Sequence, residues 1–133
     1  TRVLSSYLEK INQGLKQSES IASTLGIPAS EITFEQFLDV IDEQPSREQD
    51  PHWRRQADHL GWEIIDYTAA IHLEQLDSSW DQVAGLTGIP DLHETFYCKN
   101  STGASTKVDE YFTPELRTKV ARIYEADYSA FGY

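Results

Sequence analysis

Along the chain, stretches in which apolar residues recur at three- and four-residue steps alternate with polar stretches of no period. In TRVLSSYLEKINQGL, residues Val3, Leu4, Tyr7, Leu8, Ile11 and Leu15 share one stripe and predict a helix starting directly after Thr1. A short second helix is predicted over residues 19–25, ended by Gly26 and Pro28. In ITFEQFLDVIDEQP, Thr33 and Gln36 have the spacing of a capping box, Phe34, Phe37, Leu38 and Ile41 share a face, and Pro45 stops the helix. SREQDPHWRRQADHL is polar, contains Pro51, and predicts a long loop with at most one helical turn. Long ordered loops in compact domains are often functional, which makes this one a candidate for ligand contact.

WEIIDYTAAIHLEQL is rich in β-branched and aromatic residues and predicts one strand centred on residues 67–73. Around AAI it is apolar on both faces, as in a buried parallel sheet. DSSWDQVAGLTG then predicts a helix capped by Asp77 and closed by Gly85 or Gly88, with Trp80, Val83 and Leu86 facing inward. Residues 89–112 carry no period. TPELRTKVARIYEADYSAFGY predicts a last helix with Thr113 as N-cap, Pro114 at the first position and Glu115 in the first turn. Its buried stripe is Leu116, Val120, Ile123 and Tyr124.

A lone buried strand cannot pair its own backbone groups and needs neighbours on both sides, which this sequence does not supply. The chain also begins at Thr1 and contains no Met. Together these lead us to expect an α/β domain of which these residues are the mostly helical part, with few strands of its own. A length of 133 residues suits one small core. Eleven Lys and Arg against 22 Asp and Glu give a net charge of −11, which argues against nucleic acid or an anionic membrane as partner. No apolar stretch approaches the roughly 18 residues of a membrane helix. The single cysteine, Cys98, excludes an internal disulfide and favours a reducing compartment.

His52, His59, His72, His93 and Cys98 show none of the HxxxH, HExxH or CxxC spacings of zinc sites, so no metal is expected. Asp42/Glu43 and Glu125/Asp127 read as solvated charge on helix surfaces. The sequon at Asn100 fits chance occurrence. Two stretches could cradle an anion. In CKNSTGAST, Lys99 and the hydroxyls of Ser101, Thr102, Ser105 and Thr106 surround Gly103. Such hydroxyl-rich loops are common, and composition leaves the question open. Arg2, Ser5 and Ser6 lie in the first turn of the first helix, where N–H groups and the dipole favour a phosphate. The same residues also fit an ordinary polar face.

As a set, these residues resemble the carbohydrate (family 2) sulfotransferases. TRVLSSYLEK is similar to the end of that family's 3′-phosphate-binding motif: Arg-Asp-Pro, two variable residues, Arg, two apolar residues, then Ser and an aromatic soon after. DPHWRRQ resembles the HWRPQ-type segment, and YTAAIHLEQLDSSWDQV the YDFIGRFENL stretch with the helix after it. YFTPELRTKVARIYEADYSAFGY resembles the C-terminal helix, which ends Asp-Phe or Asp-Tyr and then Phe-Gly-Tyr. The four motifs occur in the right order and span most of the chain.

The resemblance implies a P-loop-like α/β fold and transfer of a sulfuryl group from 3′-phosphoadenosine 5′-phosphosulfate (PAPS) to a hydroxyl, usually of a sugar. It implies Ser5 as the motif serine on the 3′-phosphate and Arg2 as the motif's second arginine. Lys99, on its hydroxyl-rich loop, is a third cofactor candidate. His52, Trp53 and Arg54 combine a donor, an aromatic platform and a cation that suit a polar or anionic sugar, although Trp53 equally fits an anchor of the loop onto the core. The motif's first arginine, the 5′-phosphosulfate loop and the catalytic base of the family are not found in these residues. No catalytic residue is therefore assigned, the missing N-terminal half of the domain is an expected partner, and residues 1–133 alone are expected not to turn over PAPS. Arg55 stands where the family has Pro, and TAAIH where it has DFIGR, which weakens substrate assignments there. The expected compartment is the cytoplasm, or the Golgi lumen in a eukaryote. The alternative is a non-catalytic helical module that binds a partner protein through its aromatic surface.

Overall fold

A computed structural model describes residues 1–95 and 102–133. The helices in chain order are α1 (Arg2–Ser6), α2 (Ser18–Leu25), α3 (Phe34–Glu43), α4 (Gln56–Leu60), α5 (Leu76–Thr87), α6 (Leu92–Thr95), α7 (Val108–Tyr111), α8 (Pro114–Ile123) and α9 (Glu125–Phe131). They fall into two units, Thr1–Ile65 with Thr102–Tyr133, and Asp66–Ser101.

The first unit holds the core. Helix α1 runs on into a π-turn, Tyr7–Ile11, in which the Asn12 amide reaches back five residues to the Tyr7 carbonyl at 2.9 Å. Val3, Leu4, Tyr7, Leu8 and Ile11 are buried as the stripe predicts, but the helix ends before Leu15, which is 40% exposed. The Tyr7 hydroxyl donates to the Ile32 carbonyl at 2.8 Å, and its ring packs on Phe34 with centroids 5.3 Å apart. Burial pushes its phenol above the usual range. Helix α3 starts with the expected capping box: Thr33 Oγ1 accepts the Gln36 amide at 3.2 Å and the Gln36 side chain accepts the Thr33 amide at 2.9 Å. Thr113 and Pro114 open α8 as predicted, and ion pairs Lys119–Asp39 and Arg122–Asp42 tie α8 to α3.

The single C-terminal helix predicted from the sequence is two. The backbone breaks at Tyr124 (φ −107°, ψ 23°) although neither Gly nor Pro stands there. The cause is tertiary. Arg55 Nε donates to the Ile123 carbonyl at 2.8 Å, and the Asp127 amide bonds the Tyr124 carbonyl at 2.9 Å instead of continuing the α-helical ladder.

Among residues 66–95 of the second unit there is no strand, which overturns the strand expected over residues 67–73. Residues 67–72 are irregular, a 3₁₀ turn covers Leu73–Gln75, and Leu73 is 73% exposed. The described residues contain no strand against which the β-branched stretch could form a sheet, and none of residues 66–95 is buried. Without a strand there, these residues call for no sheet neighbours, and the described residues supply no strand for the expected α/β class. Helix α5 takes Gln75 as its N-cap residue, not Asp77, and closes at Gly88 in the left-handed conformation (φ 72°). In the stretch that showed no period, a 3₁₀ turn (Ala104–Lys107) leads into α7 and buries Ala104.

Candidate functional site

Residues 50–57 form a loop whose backbone is held almost group by group. Asp50 starts it: Oδ1 accepts the His52 amide at 2.9 Å and also faces ring Nδ1 of His52. The Asp50 carbonyl accepts the amides of Trp53 (3.1 Å) and Arg54 (2.9 Å). The next four carbonyls all receive side chains from distant elements. Arg2 donates to those of Pro51 (2.9 Å) and Arg54 (2.8 Å), Ser6 to that of His52 (2.7 Å), and Tyr124 to that of Trp53 (2.6 Å). The Asp127 carboxylate of α9 then accepts the amides of Gln56 (2.8 Å) and Ala57 (2.9 Å), capping α4 from outside its own sequence. Burial pushes the Tyr124 phenol well above its ordinary value, although Arg2 and Arg55 pull the other way, so it is a neutral donor at physiological pH.

This arrangement places the expected site residues unevenly. The Arg2 guanidinium donates to two loop carbonyls, a positioning task the sequence did not reveal. Trp53 is 2% exposed and meets Phe37 edge-on at 5.4 Å, so it anchors the loop and offers no open face to a sugar. Arg54 folds back through Nε and Nη2 onto the Gln49 carbonyl and through Nη2 onto that of Arg47. His52 keeps an exposed ring beside Asp50. Arg55 has φ −50°, at the edge of the range that proline fixes, so this position tolerates a proline ring's φ. Asp127, read from sequence as solvated charge, is buried.

Two juxtapositions give the site its shape. Arg54 borders a cleft of about 790 Å³, with Ser46, Arg47, Asp58, Trp62 and Ser129 on its walls. Trp62 packs edge-on against Phe131 at 4.8 Å. The second juxtaposition joins the two stretches singled out as anion cradles: Ser5 Oγ and Thr102 Oγ1 lie 2.8 Å apart. Gly103 (φ 65°) turns the chain after Thr102 and sends Ala104 into the core. Lys99 lies outside the described residues. Among the described residues no three His, Cys, Asp or Glu side chains group closely enough for a metal, and no helix is long and apolar enough to cross a membrane.

The sequence model of the sulfotransferase family matches residues 1–133. The chain belongs to the sulfotransferase family. No curated protein and no solved structure matches it. A sulfotransferase must hold a sulfuryl donor and an acceptor side by side. In this chain the paired hydroxyls and the Arg54 cleft are connected through one loop: Ser6, next to Ser5, donates to the His52 carbonyl, and Arg54 follows two residues later.

Proposed function

We propose that this chain serves sulfuryl transfer from PAPS to a hydroxyl of a carbohydrate, as the mostly helical part of a P-loop-like α/β domain. The observation that carries the reading is the Ser5–Thr102 pair. Two hydroxyls 2.8 Å apart, one from a helix's first turn and one from a loop, can both turn their O–H groups toward the oxygens of one phosphate. Arg2 belongs to the same turn and adds positive potential there, while its N–H groups keep the loop in place. Lys99, three residues before Thr102, is proposed as a further contact.

The acceptor is proposed to lie along the cleft at Arg54, with its ring against Trp62 and an anionic substituent toward Arg47 and Arg54. His52 supplies a donor at the edge of the same loop. Displacement at sulfur needs an acceptor oxygen in line with the leaving phosphate, a base for its proton, and cations on the bridging oxygen. The groups named here hold and orient. We therefore expect residues 1–133 alone to show no turnover of PAPS.

Calorimetric titration of adenosine 3′,5′-bisphosphate and adenosine 5′-phosphate into the protein tests the reading. A lost charge-assisted hydrogen bond is worth about 1.5–3 kcal/mol, so Ser5→Ala or Thr102→Ala should weaken the bisphosphate roughly ten- to a hundredfold. The 5′-phosphate, which lacks the 3′ group, should be unchanged. Equal losses for both nucleotides, or none for either, reject the 3′-phosphate site.

A further inference from the structure

The cleft at Arg54 has two facing walls. Ala57, Asp58 and Trp62 come from α4 and the turn after it, and Ala126 and Ser129 from α9. Asp127 lies between them. Its backbone belongs to the α9 wall, and its carboxylate accepts the amides of Gln56 and Ala57 at the foot of the α4 wall, at 2.8 and 2.9 Å. Asp127 is 6% exposed, so water does not compete for these bonds. Two further contacts run from the same turn to the same loop: Arg55 Nε to the Ile123 carbonyl and the Tyr124 hydroxyl to the Trp53 carbonyl. Only Asp127 reaches α4 itself through these contacts. The left-handed Gly61 (φ 62°) then ends α4 and leads directly into Trp62. The Trp62 amide donates to the Ala57 carbonyl at 2.9 Å, so the start of α4 holds the backbone of Trp62 while Phe131 of α9 meets its ring.

We infer that Asp127 is the positioning residue of the acceptor cleft, fixing the α4 wall that carries Trp62 against the α9 wall. The inference rests on the acceptor reading given above. An asparagine keeps one acceptor oxygen but turns an NH₂ toward the second amide, so Asp127→Asn sets donor against donor at nearly constant volume. A glutamate keeps both oxygens and moves them by one methylene.

The test is made on the protein and its D127N and D127E variants. Methyl β-glucuronide binding is followed by ligand-observed NMR, adenosine 3′,5′-bisphosphate binding by calorimetry, and amide exchange residue by residue. For D127N we expect exchange at Gln56 and Ala57 to quicken at least tenfold while α3 amides from Phe37 to Ile41 keep their rates. Sugar dissociation should become at least fivefold weaker, and the nucleotide should change less than twofold. D127E should recover part of the exchange protection and part of the sugar affinity. Sugar affinity that ignores D127N overturns the inference, as does a parallel loss of sugar, nucleotide and α3 protection, which marks a general structural role. Should D127N fail to fold, D127E decides: glucuronide binding equal to that of the unsubstituted protein overturns the inference. A protein that binds no sugar before any substitution overturns the acceptor reading, and the inference falls with it.

Discussion

Residues 50–57 and residues 66–72 are both short of regular structure, yet the two are built in opposite ways. In the first, four consecutive carbonyls and two helix-start amides are taken by Arg2, Ser6, Tyr124 and Asp127, side chains from both ends of the chain. In the second, a sequence of higher apolar and β-branched content has no fully buried residue, and Leu73 just beyond it is 73% exposed. Apolar and β-branched content alone therefore does not bury an irregular segment, whereas side chains that take its backbone groups can fix its course. A loop held this way keeps its geometry without a sheet or helix, which is what a binding site on a loop requires.

Substitutions in the two regions should lower stability to graded extents, all read by urea denaturation. Trp53→Ala removes the loop's anchor beside Phe37 and should cost about 3–5 kcal/mol; a loss below 1 kcal/mol would contradict its burial. Arg2→Ala frees two carbonyls at once and should cost about 2–3 kcal/mol, with Arg2→Lys recovering little because an ammonium cannot fork between them.

Tyr124→Phe orphans the buried Trp53 carbonyl and should cost about 1–3 kcal/mol at pH 7. It also carries a pH signature. The folded state holds the Tyr124 proton more tightly than the unfolded chain, whose tyrosines titrate near 10. Stability from this group is complete below about pH 10 and falls above it, by up to about 1.4 kcal/mol per pH unit. Tyr124→Phe should flatten that alkaline limb, leaving the smaller share of Tyr7, whose phenol burial also raises; an unchanged limb assigns it elsewhere. The smallest effect belongs to the other region. Leu73→Ala and Leu86→Ala should each change stability by no more than about 0.5 kcal/mol, since both side chains are at least half exposed. Losses near 2 kcal/mol would show burial that the structure does not give them.

Local signals were legible wherever local chemistry decided the outcome. The Thr33–Gln36 box, the Thr113–Pro114 start and the α3 and α8 stripes were all readable, because each depends on residues within one or two turns. The break at Tyr124 was not, since it needs Arg55, 68 positions from Ile123, to take a carbonyl from the helix. The strand failed for the converse reason: β propensity expresses packing within a sheet, and the described residues contain no strand for residues 67–73 to pair with. At the site, composition offered Ser5 and Thr102 separately as candidates for anion contact, with an ordinary polar surface as the alternative, and only the fold brings them within 2.8 Å. Arg2 and Asp127 carry motif positions, but their contacts with a loop some fifty to seventy residues away leave no periodic trace.

Amide hydrogen exchange across the whole protein decides whether the 50–57 loop, tied by Asp50 from within and by Asp127 from α9, is held as firmly as a helix. The amides of His52, Trp53, Arg54, Gln56 and Ala57 all have acceptors, in Asp50 or Asp127. They should exchange within about tenfold of the slow amides of α3, and at least about a hundredfold more slowly than residues 66–72. Exchange of these five amides at the rate of residues 66–72 would contradict the account.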